Sequence, residues 1–395
     1  MIRPIHPFPA RMAPELAIGH LSELKPGSVV LDPMAGSGTV VRHAAELGHN
    51  AIGFDMDPLA VLMTRVWTTA VSDEDIASVA SQVLAEVCNT KARDVVLPWI
   101  DGDTETRDFI RYWFGRKQCT DLRKIAHVLN QRGALRSRKN TRAALDVLKV
   151  ALSRIIITKD QGASLARDVS HSRPHKVADS SDFAVLPAFE KSIEYIRRLL
   201  LVAPPVGRVD VSQGDARSLT MLANSSVDAV LTSPPYLNAI DYMRGHRLAL
   251  VWLGCSLAEL RRIRSDSIGA ERGPDIVGTA LFEEICSAMG VTEALSSRHH
   301  AMVIRYAQDI YRLMSETARV VKPGGKVTLV VGNSCLKRSF IRNSGGVAKA
   351  GAMVGLRLLN ATERELPDRN RYLPLSVGPL DKRMRTETIL SLVRR

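Results

Sequence analysis

Apolar and polar positions along the chain change period several times, and each change marks an element. After the Pro26-Gly27 turn, Ser28-Val29-Val30-Leu31 is a short apolar run, followed by a small-residue loop and then by helical spacing over about residues 37–48. Ala51-Ile52-Gly53-Phe54 is a second apolar run closed by Asp55, so residues 26–58 read as a βαβ unit. The alternation resumes near residue 208 with a short strand at Val209-Asp210-Val211, a turn at Gly214 and a buried strand at Asp228-Ala229-Val230-Leu231. A helix over about 307–321, the breaker Lys322-Pro323-Gly324-Gly325 and a strand over 326–331 follow, and residues 387–393 read as one more strand, the antiparallel edge. Strands alternating with helices predict an α/β fold, a doubly wound and mostly parallel sheet.

Two stretches break the pattern. Residues 67–205 carry helical periodicity at 76–87 and 143–156 and predict a large helical insertion; a smaller polar one lies at about 255–300. The expected organisation is one catalytic domain made of 1–66 and 206–395, with 67–205 inserted between its second and third strands. Between residues 105 and 176 there are 17 Lys and Arg against 6 Asp and Glu, so this one segment can supply most of the positive excess of a chain whose net charge is +13. Such a field attracts polyanions, with nucleic acid and an anionic membrane both candidates.

Apolar residues make up 45% of the 395, and no apolar run approaches the ~18 residues that cross a bilayer. The opening Met1-Ile2-Arg3-Pro4-Ile5-His6-Pro7 lacks the apolar core of a secretory signal, so a cytoplasmic protein is expected. The five cysteines form no C-x-x-C pair and have no histidine at zinc-ligand spacing, which predicts reduced thiols and no metal.

The first candidate site is Asp32-Pro33-Met34-Ala35-Gly36-Ser37-Gly38-Thr39, where the first strand gives way to a helix. Gly36 and Gly38 let a ligand lie against backbone amides at the helix start. A Walker phosphate loop is excluded, because no lysine follows Gly38. A dinucleotide fingerprint is half matched, with Val41 at the third glycine position, and a tight turn that merely needs glycines also accounts for the loop. Asp55 ends the next strand where an acid can bind ribose hydroxyls, with Asp57 its competitor, and Asp215, followed by Ala216, can accept from an adenine amine.

The second candidate site is Thr232-Ser233-Pro234-Pro235-Tyr236 at the end of the fourth strand. Two prolines fix φ, remove two donors and leave an acceptor-rich platform. The Ser233 hydroxyl and Pro234 carbonyl can hold an exocyclic amine, and Tyr236 offers a face for an extruded base. A Pro-Pro turn beside a core tyrosine is the plainer reading. Beyond it, Asn238, Asp241 and Tyr242 can line a base pocket while Arg244 and Arg247 reach phosphate, although an ordinary amphipathic helix explains the same residues.

Asp32-Pro33-x-Ala35-Gly36-Ser37-Gly38-Thr39 and Thr232-Ser233-Pro234-Pro235-Tyr236, with the opening His6-Pro7-Phe8-Pro9-Ala10-Arg11-Met12, resemble the amino-type DNA methyltransferases, the N4-cytosine and N6-adenine group. Lys322-Pro323-Gly324-Gly325 before a strand is similar to other methyltransferases of the Rossmann-like fold. The resemblance covers roughly 1–66 and 206–335. It implies S-adenosylmethionine as cofactor, with His6 to Met12 (His6, Phe8 and Pro9 among them) and Asp32 to Thr39 around its methionine end. It also implies Asp55 on the ribose, Asp215 and Ala216 by the adenine, and Ser233 to Tyr236 receiving a flipped base.

Serine at the head of the tetrapeptide resembles N4-cytosine members, whereas Asp or Asn is usual in N6-adenine enzymes; C5 chemistry would need a cysteine after a proline, and none is present. Double-stranded DNA is the expected partner, with a cognate restriction endonuclease as functional partner and a prokaryotic, nucleoid-associated location. Adenine N6 methylation, an RNA amino-methyltransferase and a non-catalytic nucleic-acid-binding relict are the alternatives. The insertion departs from the usual family plan, whose arrangements place target recognition after the third strand, after the catalytic loop region or elsewhere. Its basic residues Arg136, Arg138, Lys139, Arg173 and Lys176 are expected to grip DNA, a solvated helical cap being the other reading.

Overall fold

The computed structural model describes residues 3–8, 11–134, 139–168, 174–237, 241–270, 280–290, 295–336, 339–366 and 386–395. α1 (Pro14–Ser22) leads into β1 (Val29–Asp32), α2 (Thr39–Glu46), β2 (Asn50–Asp55) and α3 (Pro58–Thr68). The insertion follows as α4 (Asp73–Asn89), α5 (Pro98–Asp101), α6 (Thr104–Trp113), α7 (Arg116–Ala134) and α8 (Lys139–Ile156), then the two-residue strands β3 (Ala166–Arg167) and β4 (His175–Lys176), and α9 (Val185–Val202). β5 (Arg208–Gln213) and β6 (Val227–Thr232) return to the main sheet, and α10 (Met243–Leu250), α11 (Leu257–Asp266), α12 (Ala280–Ala288) and α13 (Ser297–Val320) precede β7 (Val321–Gly332). The short β8 (Ser334–Leu336) and β9 (Ser339–Ile341), α14 (Asn343–Met353), β10 (Leu356–Glu365) and β11 (Thr386–Arg394) complete the chain.

Seven strands form one sheet in the order β10-β11-β7-β6-β1-β2-β5. β5, β2, β1, β6 and β7 are parallel, and β11 and β10 add antiparallel pairings. This is the expected doubly wound α/β sheet. β6 is covered on both faces, which explains its unbroken apolar run. α13 buries Met302, Val303, Tyr306, Ala307, Ile310, Leu313 and Met314, an i, i+3, i+4, i+7 stripe that holds it against the sheet.

Two expectations change. The strand at 386–394 is antiparallel but internal, and the edge is β10, where every residue from Arg357 to Glu363 is exposed. No buried alternation marks such a strand in sequence. Lys322-Pro323-Gly324-Gly325 lies within β7 rather than before it: Val321 pairs with Val227, the four residues bulge out, and continuous pairing begins at Lys326, the expected start of the strand.

Three apolar clusters hold the layers together. One packs α1 and α2 on β1, a second packs α12 to α14 on the opposite face, and the third runs from Leu59, Met63 and Trp67 of α3 through the insertion helices to Leu248 and Trp252 after α10. The insertion therefore shares its core with the elements flanking both candidate loops. Among the described residues no helix is long and apolar enough to cross a membrane.

Candidate active site

Strand order places the two loops. It reverses between β1 and β6, which pair in parallel, so the turn after Asp32 and the turn after Thr232 open at the same carboxyl edge. The Thr232 hydroxyl donates to Asp32 Oδ1 at 2.7 Å, joining the two turns across the strand gap. Oδ1 also accepts from the Met34 amide, at 3.2 Å, and Oδ2 accepts from no described residue. Burial pushes the Asp32 carboxyl up to about 7, against the pull of those hydrogen bonds.

The glycine loop is fixed by its neighbours. Gly36 and Gly38 have φ of +52° and +85°, the left-handed region. A Cβ on Gly36 would stand 3.1 Å from the Phe8 ring, and one on Gly38 2.9 Å from Thr64. Asp55 Oδ2 accepts the Gly36 amide at 2.8 Å and Oδ1 the Asp57 amide at 2.9 Å, while the Thr64 hydroxyl donates to the Gly36 carbonyl. Burial, then the neighbouring Asp57, raises Asp55 to about 6. Pro33, Ala35, Ser37 and Thr39 are buried beneath the loop, and Gly38 caps α2 with no side-chain hydrogen bond. The first amides of α2 therefore keep the open, positive character that suits a carboxylate.

Both carboxylate oxygens of Asp57 are already engaged. Asp57 caps α3 by accepting from Leu59, and its Oδ2 meets His246 Nδ1 of α10. Burial alone would lower His246 and raise Asp57, but the pairing outweighs it and shifts both the other way, so the pair is ionic. One turn earlier Tyr242 stacks on Phe8, 5.1 Å between centroids and 15° between planes. Phe8 is thus held between Gly36 and Tyr242, bringing the N-terminal motif, the glycine loop and α10 together. His6 lies two residues before it, its Nδ1 2.7 Å from the Pro7 carbonyl.

The Ser-Pro-Pro-Tyr loop is anchored from behind. The Ser233 hydroxyl donates to the Val330 carbonyl at 2.9 Å, Tyr306 to the Pro235 carbonyl at 3.2 Å and Ser334 to the Leu237 carbonyl at 2.7 Å. The Pro234 carbonyl accepts from no described residue, which leaves it as the loop's open acceptor. Burial pushes the Tyr236 phenol up to about 12, with the Glu387 carboxylate adding to the effect, so it stays neutral.

Other expected site residues fall elsewhere. Asp215 sits beyond β5, where the Gly214 amide donates to the Asp55 carbonyl, but its carboxylate is held by Arg217 at 2.8 Å, and Arg217 also reaches Asp309. Ala216 is buried. Asp241 accepts from Arg264 at 2.7 Å and lies 3.5 Å from Arg244. Lys139 is exposed at the start of α8, and Lys176 pairs with Asp179 at 2.7 Å. Pro9, Asn238, Arg136, Arg138 and Arg173 lie outside the described residues. His246, Thr64, Tyr306 and Glu387 were not singled out in sequence; each acts through a partner far along the chain, which no local spacing reveals.

A methyltransferase sheet with an antiparallel hairpin at one side, a glycine turn on β1 and a Ser-Pro-Pro-Tyr turn on β6 at one edge defines the S-adenosylmethionine-dependent class. A family model described as DNA methylase matches residues 6–64. The type II methyltransferase M.MvaI of Kocuria varians is 21% identical over 95% of this chain and 86% of its own length, and M.BsoBI of Geobacillus stearothermophilus is 23% identical over 78% and 69%. Over these stretches the chain is similar to the amino-type DNA methyltransferases, the N4-cytosine and N6-adenine group. A solved methyltransferase from Methanosarcina mazei aligns over 95% of this chain and 96% of its own at 10% identity and a TM-score of 0.34.

Proposed function

We propose that the chain is a site-specific methyltransferase acting on the exocyclic N4 of a cytosine flipped out of duplex DNA. The observation that carries this reading is the Thr232 to Asp32 bond, which joins the two turns on adjacent strand ends so that a donor over one faces an amine over the other. Bound S-adenosylmethionine supplies an electrophilic methyl group. Asp32 Oδ2 and the uncapped start of α2 suit its ammonium and carboxylate, Asp55 can still accept a ribose hydroxyl on its remaining lone pairs, and Asp215 reaches the adenine end only if it shares Arg217.

The chain's own contribution is positioning. The Pro234 carbonyl and a remaining lone pair on Ser233 accept the two amine hydrogens, which turns the nitrogen lone pair toward the methyl group, and Tyr236 stacks on the base. The displaced proton leaves to water. A neutral phenol at Tyr236 adds no charge to this step. Serine at position 233 favours cytosine. The names of the type II relatives support a DNA-modification enzyme, and the basic insertion, with Lys139 and Lys176, supports a grip on DNA.

The test is transfer of labelled methyl groups from S-adenosylmethionine to duplex DNA, followed by digestion to nucleosides. N4-methyldeoxycytidine is the expected product. N6-methyldeoxyadenosine in its place would overturn the choice of base, label appearing only in RNA would overturn DNA as substrate, and no transfer despite cofactor binding would sink the reading. Tyr236→Ala removes the stacking face and is expected to lower turnover about 10- to 100-fold with cofactor affinity unchanged. Equal loss of both would make the loop a structural turn.

A further inference from the structure

α10 presents two faces. One carries Tyr242 and His246 toward Phe8 and Asp57, and the other carries Arg244 and Arg247, one turn apart, toward α6 and α11. The Arg247 guanidinium lies 5.1 Å over the Phe109 ring of α6, and its buried Nε has no hydrogen-bond partner among the described residues. Arg264, near the end of α11, donates to Asp241 Oδ2 at 2.7 Å, and Arg244 approaches the same oxygen at 3.5 Å. One carboxylate thus meets two guanidinium groups, with that of Arg247 near enough to feel the charge of all three. Burial and the nearby Arg264 lower the pKa of Arg247, with Asp241 opposing and Arg244 adding to the shift.

Three like charges held together with one counter-charge are unfavourable unless an anion joins them. Arg244 and Arg264 keep 43% and 41% of their side chains exposed, so both can reach an incoming oxyanion. Two or three planar forks suit the paired oxygens of a phosphodiester. The cluster also begins at Asp241, close after the Ser-Pro-Pro-Tyr loop, where a strand carrying an extruded base must pass.

We propose that Arg244, Arg247 and Arg264, arranged by Asp241, bind a backbone phosphate next to the flipped nucleotide. The proposal rests on the reading of the chain as a DNA methyltransferase. The shared chemistry is an oxyanion, and the other oxyanion at hand is the carboxylate of the cofactor, so the test separates them.

Full-length protein is titrated with a duplex oligonucleotide of random sequence over a range of salt concentrations, and separately with S-adenosylmethionine, for the unaltered chain, Arg264→Gln, the double variant Arg244→Gln/Arg264→Gln and Arg264→Lys. Each lost phosphate contact flattens the slope of log K against log salt by about 0.9. The double variant is expected to lose one such step and roughly 10-fold or more in DNA affinity at low salt, with cofactor affinity unchanged, and Arg264→Lys to keep most of the slope. An unchanged slope overturns the proposal. So does loss of cofactor affinity with the slope intact, which reassigns the cluster to the cofactor carboxylate. Unchanged cofactor binding also shows the variants to be folded, and methyl transfer by the unaltered chain tests the DNA reading on its own.

Discussion

Asp32 is a carboxyl group whose two oxygens do different work. Oδ1 takes both hydrogen bonds, from Thr232 and Met34, and Oδ2 takes none from the described residues. Its pKa of about 7 means that the ionised form is disfavoured in the fold, so the stability it contributes is full below the unfolded value of 3.8 and is lost as pH rises through about 7. Asp32→Asn keeps Oδ1 and removes that cost. The variant without cofactor is expected to melt ~2–5 °C higher than the parent at about pH 8, with the difference shrinking toward pH 4 in scanning calorimetry. Titration calorimetry should show weaker cofactor binding, because the amide cannot pair with a cation. A melting point that does not move would mean that Asp32 is already ionised and paired. Asp32 and the two glycines were legible in sequence because a strand, a small-residue turn and a helix follow one another locally. The use of Asp57 was not, since its partner His246 lies 189 residues away.

At the scale of elements, the insertion reaches the glycine loop, the proposed cofactor site, through the N-terminal segment. Arg154 of α8 donates to the Ile5 carbonyl while its guanidinium lies 4.3 Å over the Tyr195 ring, and Ile5 is buried in the insertion's own core. Three residues on, Phe8 presses on Gly36. Arg154→Met keeps the bulk and removes the donor, leaving a carbonyl short of its partner. It is expected to raise KM for S-adenosylmethionine about 5- to 20-fold while kcat at saturation changes less than about twofold, the split that separates a positioning residue from one that meets the reacting atoms. A fall in kcat alone would break the link between α8 and the cofactor loop. The Trp99 indole donating to the Val251 carbonyl and the Leu257 amide donating to Thr106 tie the insertion to the segment after the catalytic loop in the same way. Helical periodicity revealed that these helices exist, and their basic residues suggested DNA; that they buttress both loops depends on contacts between distant segments.

Across the whole molecule, positive charge is less free than its sum suggests. Within the insertion Arg132 is spent on Glu86, Arg197 on Asp73 and Glu194, and Arg123 on Asp101, so these guanidinium groups hold helix to helix. Lys139 and Arg142 at the start of α8 are exposed and belong to the accessible part of the excess. Lys139→Glu with Arg142→Glu is expected to weaken binding to duplex DNA and flatten its salt dependence by about 1–2 in log-log slope, measured by fluorescence anisotropy. A slope that stays the same would move the contact surface off this end of the insertion. Net charge read from composition pointed to a polyanion, but the division between structural and free cations needed the fold.

The ring of Phe8 is gripped by a glycine 28 positions later and a tyrosine 234 positions later. A chain growing from its N-terminus must therefore leave the proposed cofactor pocket without this wall until residue 242 has emerged, well after the glycine turn has had time to form. Nascent chains halted before that point should fold their first strands yet hold no donor, and methylation becomes available only when synthesis is well past the middle of the protein.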